Sequence, residues 1–129
     1  MSQEQPPALD PDAVRDFVVA GHGDLDAVRG ALDGEPGLLN ACWDWGGGDF
    51  ETALGGAGHM GRRDIAEFLL ERGARLDVFA AAMLGMEEVV RAVLAADPAA
   101  RDSLGPHGIP LVAHARAGGA DNVVALLEG

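Results

Sequence analysis

Lysine and tyrosine are absent from this 129-residue chain, cysteine and threonine occur once each, and serine only at Ser2 and Ser103. A solitary Cys42 forbids an intramolecular disulfide, which excludes a disulfide-stapled secreted fold and fits a reducing cytoplasm. Nucleophilic catalysis is poorly supplied, and no spacing sets an acid and a base beside a positioned third group, so the chain is expected not to be an enzyme and to need no cofactor. No apolar run reaches the length of about 18 residues that a membrane span requires. Residues 1–9 lack the basic and apolar segments of a signal peptide and read as a disordered tail. Positive charge is also scarce: nine arginines stand against 21 acids, for a net charge of −12. That balance repels phosphate backbones and anionic headgroups, so neither nucleic acid nor a membrane is expected as a partner.

What is abundant is Ala, Gly and short aliphatic residues, in a pattern that repeats. Glycines at Gly23, Gly61, Gly85 and Gly118 each follow an Ala-rich segment and precede an acid and an aliphatic run. After each glycine the apolar residues recur at helical spacing: Leu25, Val28 and Leu32; Ile65, Phe68 and Leu69; Val89, Val90, Val93 and Leu94; Val123, Val124 and Leu127. Asp10 before Pro11, Thr52 and Asp77 stand where further helices would be capped. The unit is therefore helix, glycine turn, helix. One such pair is too small to bury its apolar face alone, so the pairs must stack.

These residues resemble the ankyrin repeat, with its T-P-L-H-x-A segment, glycine turn, leucine-ended second helix and Gly-Ala exit. The likeness is fullest in Thr52-Ala53-Leu54, Ala57, Gly61, Asp64-Ile65, Leu69-Leu70 and Gly73-Ala74, and recurs in His107-Gly108-Ile109-Pro110-Leu111 and Leu39-Asn40-Ala41. The resemblance implies an all-α fold: an ankyrin-repeat solenoid of about four stacked helix-turn-helix pairs, with repeats near residues 10–41, 42–76, 77–103 and 104–129. The repeats are degenerate, since the motif histidine is replaced by Gly55 and Val112. The connection after Gly73 is too short for a hairpin, while residues 41–51 form an enlarged loop holding Trp43, Trp45 and Phe50 among glycines and acids.

Proteins of this kind bind partners on the concave side, beside the turn glycines. That places His22, His59, Met60, Met83 and Arg116 on a candidate protein-binding groove, with Trp43, Asp44, Trp45, Asp49, Phe50 and Glu51 on the loop above it. A rigid tryptophan is a common interface anchor, while the same ring folded inward would seal a core. The expectation is thus a monomeric, cytoplasmic, non-enzymatic interaction module, of a composition typical of GC-rich bacterial genomes. The alternative is a small-ligand or divalent-metal-binding protein, possibly hydrolytic in chemistry, in which two imidazoles and a loop carboxylate such as Asp44 or Asp49 hold an ion. The spacing of His22, His59, His107 and His114 is not a metal signature, and no metal is assigned from it; His114 reads as a buried structural residue. Gly56-Ala57-Gly58-His59-Met60-Gly61 spells G-x-G-x-x-G, but no apolar strand leads into it as a dinucleotide site requires.

Overall fold

Short helices alternate with glycine turns along a computed structural model that describes residues 5–129. Eight α-helices lie among the described residues: α1 Pro11–Gly21, α2 Leu25–Gly34, α3 Ala53–Met60, α4 Arg63–Glu71, α5 Val78–Met83, α6 Glu87–Ala96, α7 Leu111–Ala117 and α8 Asp121–Glu128. The architecture is helical. Two three-residue strands, β1 Cys42–Asp44 and β2 Phe50–Thr52, form an antiparallel hairpin. None of the helices is long and apolar enough to cross a membrane. Of the stretch expected to be a disordered tail, residues 1–4 lie outside the described residues, and Leu9 packs against the core.

Local chemistry sets the helix starts. Carboxylates of Asp10, Asp24 and Asp77 and the hydroxyl of Thr52 accept backbone N–H groups of Asp12, Ala27, Ala80 and Gly55 respectively, satisfying donors that a first turn leaves free. The first helices of successive pairs pack on one another, α1 on α3, α3 on α5 and α5 on α7, with α3 also touching α7, while α2 meets α4 and α6 meets α8. Close approach requires small side chains, and Ala53, Ala57, Ala80, Ala81 and Ala82 are fully buried. Larger residues fill the space between the layers: Phe17, Val28, Leu54, Ile65 and Leu69 toward one end, Val90, Leu111, Val123 and Leu127 toward the other, with Met86 touching both groups.

Neighbouring pairs are also tied through turn carbonyls. Arg62 donates to Gly23 O at 2.8 Å, Arg63 to Leu84 O at 3.1 Å and Asn122 to Gly85 O at 3.1 Å. The glycines of the G-x-G-x-x-G stretch serve packing. Gly61 ends α3 at a φ of 67°, and a Cβ there would stand 2.3 Å from Ala117 O. The connections differ as their lengths require. The first carries the β1–β2 finger, the third bends through Leu104–Pro110, and between α4 and α5 no strand forms, Arg75 N donating instead to the Asn40 side chain.

Candidate functional site

Alternation along β2 selects the central group of the site. Successive residues of a strand point to opposite faces; Phe50 is 60 % exposed and the next residue, Glu51, 1 %. A buried carboxylate is costly unless it is fully partnered, and here the partners come from four directions. Trp45 Nε1–H donates to Glu51 Oε1 at 2.9 Å. His22 Nε2 lies 3.1 Å and His107 Nε2 3.4 Å from the same oxygen, and His59 Nε2 is 3.0 Å from Oε2.

Each imidazole reaches this point for a local reason. His22 and His59 sit at the C-terminal ends of α1 and α3, two helices that pack side by side. The ring of His22 lies over Gly56, where a Cβ would come within 2.7 Å of it. His107 is carried in from the far connection by a turn in which it adopts a φ of 62°. The ring centroids stand 4.8 Å apart for His22–His59 and 5.4 Å for His59–His107.

Hydrogen bonds behind the rings assign their tautomers. His22 Nδ1 lies 2.9 Å from Val18 O, which only accepts, so Nδ1 carries the proton. His107 Nδ1 lies 2.7 Å from Asp49 Oδ2, and the His107 backbone N–H donates to Asp49 Oδ1 at 2.8 Å. An imidazole held this way offers its Nε2 lone pair forward, an arrangement common among metal-bound histidines. Facing a carboxylate, that lone pair requires a proton or a cation between them.

Protons supply part of that need. The hydrogen bond to Glu51, then its charge, raise the His22 pKa against the opposing effect of burial. For His59 burial dominates and lowers it, helped by the neighbouring imidazoles. Burial pushes the Glu51 carboxyl up, but the hydrogen bond and charge of His22, with Trp45 and His107, outweigh it and leave the pKa lowered. The backbone N–H of His107 and its ring lower the Asp49 pKa.

The donor atoms of His22, Glu51, His59 and His107 all lie within 4.8 Å of one another. Around a tetrahedral Zn²⁺, with bonds of about 2.0–2.1 Å, neighbouring donors stand about 3.3 Å apart. The His22 and His107 contacts to Glu51 Oε1, at 3.1 and 3.4 Å, are near that edge length, while His59 meets the other oxygen, Oε2, at 3.0 Å. The C-terminal ends of α1 and α3 add partial negative charge favouring a cation.

The sequence-derived candidates therefore separate. His22, Trp45, Asp49, Glu51 and His59 come together, and His107 joins them. Asp44 is not a donor to the cluster; it shapes the finger tip by accepting from Gly46 N and Gly48 N. Trp43 packs against the core. Phe50 and Met60 are exposed outside the cluster. Met83 is fully buried and unavailable to a partner, because α7 lies so close that a Cβ on Gly118 would overlap the Met83 carbonyl. Arg116 pairs with Glu128 on α8. His114 is fully buried with Nδ1 on Pro110 O, and burial lowers its pKa. The chain matches no protein-family model and no curated protein.

Proposed function

We propose that this protein binds a divalent transition-metal ion through His22, His59, His107 and Glu51, on a scaffold of four ankyrin-like helix pairs. The observation that carries the reading is the convergence of three imidazole Nε2 atoms on one buried carboxylate, two of those rings being fixed from behind by Val18 O and Asp49. Imidazole and carboxylate donors suit zinc, and the absence of a thiolate argues against a soft Cu(I) site. Charge agrees: the carboxylates of Glu51 and Asp49 together balance one divalent ion. The donors come from the first two helix pairs and from the first and third connections, so the ion would bind them into one unit and stabilise the stack.

Calorimetric titration of untagged, metal-stripped protein with zinc tests this. One ion per chain in the wild type and none in His59→Ala supports the reading; no binding by the wild type defeats it. A second reading, a protein-docking surface, is favoured by the exposure of Phe50 and Met60 near the finger and groove. In that case the ion would set the shape of the surface rather than act on a substrate.

A further inference from the structure

One short segment contacts the outer side of three of the four donors. Trp45 holds Glu51 Oε1 through its indole N–H and lays its ring against His22 and His107, at centroid separations of 6.4 and 5.7 Å. Asp49, four residues on, holds His107 through both its ring and its backbone. Between them lies Gly46-Gly47-Gly48, all at positive φ, where added Cβ atoms would meet nothing within 4 Å. No side chain packs on the tip, whose turn is closed by Trp45 N–H donating to Asp49 O at 3.0 Å, and its two ends are fastened to the site.

Exposure shows which way the site opens. The Glu51 side chain is fully buried and that of His59 11 % exposed, rising to 23 % at His22 and 34 % at His107, the two rings that Trp45 covers. Trp45 itself is 39 % exposed, with solvent on one side and the donors on the other. A ring in that place shields the donors, and a hydrogen bond to the central carboxylate holds it there.

We infer that the tip spanning residues 45–49 gates the ion site, with Trp45 as the latch: an ion enters and leaves when the Trp45 side chain swings off Glu51. This rests on the metal-binding reading above. A gate differs from a ligand in its kinetic signature. Removing a ligand weakens affinity, whereas removing a gate speeds capture and release together and changes their ratio less than either rate.

The test follows zinc transfer from loaded protein to an excess of chromogenic chelator, and zinc capture by metal-free protein, in a stopped-flow instrument. Trp45→Ala is expected to raise both rates, capture and release by similar factors. Trp45→Phe, which keeps a shielding ring but loses the indole N–H, is expected to fall between wild type and Trp45→Ala and guards against misfolding of the alanine variant. Phe50→Ala, on the strand beyond the tip, is expected to leave both rates unchanged. The gate is overturned if both Trp45 variants bind one zinc and exchange it at the wild-type rate, or if Phe50→Ala accelerates exchange equally. A wild type that binds no zinc would instead remove the underlying reading, so the two failures are distinguishable.

Discussion

His107 Nδ1 lies 2.7 Å from Asp49 Oδ2, joining the two longest connections of the chain across 58 residues of sequence. The same carboxylate accepts the His107 backbone N–H at 2.8 Å, so Asp49 fixes both the ring and the turn that carries it. His107 reaches the cluster from outside the α1–α3 layer, and this double contact is what aims it.

Asp49→Asn removes the charge and keeps the shape. Zinc affinity is expected to fall about 10- to 100-fold, the usual effect of altering a group behind a metal ligand. Competition against a calibrated chelator measures it, and an unchanged affinity would show that Asp49 does not orient His107 for an ion.

Gly56→Ala places a Cβ within 2.7 Å of the His22 ring and forces the ring off Glu51. Two effects on stability oppose each other: helix propensity gains about 1 kcal/mol, while overpacking costs about 1–3 kcal/mol. Stability alone is therefore a blunt readout. Zinc binding is the sharp one and should fall with little change in the unfolding midpoint of the metal-free protein; undiminished binding would mean that His22 is dispensable.

Glu51→Gln should lower the His22 pKa. In the wild type the hydrogen bond that His22 donates to Glu51 is the largest influence and raises the His22 pKa above its ordinary 6.5. With a neutral amide that influence and the Glu51 charge go, while burial and the backbone contacts of Val18 and Val19 remain, so the midpoint should fall from its wild-type value. Histidine ring resonances followed by NMR across a pH titration of metal-free protein measure it; an unmoved midpoint would mean that Glu51 does not control the cluster's charge.

His114 predicts a loss of stability in acid. Burial lowers its folded pKa below 6.5, with the Pro110 carbonyl and the charges of Asp77 and Glu51 opposing. The unfolded chain then takes up a proton more readily than the folded one, so the contribution is intact above pH 6.5 and is lost as pH falls from there toward the depressed folded value. His22, with a raised folded pKa, acts in the opposite sense, so the comparison must be with His114→Leu. Relative to that variant, the wild type should lose stability on going from pH 7 to pH 5, by up to about 1.4 kcal/mol per pH unit. Urea denaturation at several pH values decides it, and parallel curves would contradict a neutral buried His114.

The helices were legible because their information is local. Leu25, Val28 and Leu32, or Ile65, Phe68 and Leu69, lie on one helical face whatever surrounds them, and Thr52 and Asp77 declare helix starts by their own chemistry. The finger strands were not, since three residues are too few to display a period of two. The site was less legible still. Its donors sit in separate turns and meet only through stacking, and Glu51, in an acidic glycine-rich segment, has the sequence context of an exposed residue. Burial of Phe50's neighbour follows from strand alternation once the hairpin is known. Met83 failed as a groove residue because a position before a turn glycine faces solvent only where the next helix leaves room, and α7 does not.

The most direct test is anomalous diffraction at the zinc absorption edge from crystals of untagged protein loaded with one equivalent of zinc. The metal-binding account predicts a single strong peak about 2.0–2.1 Å from the Nε2 atoms of His22, His59 and His107 and from a Glu51 carboxylate oxygen. A peak elsewhere, or none while the three imidazoles still contact Glu51 directly, would contradict it.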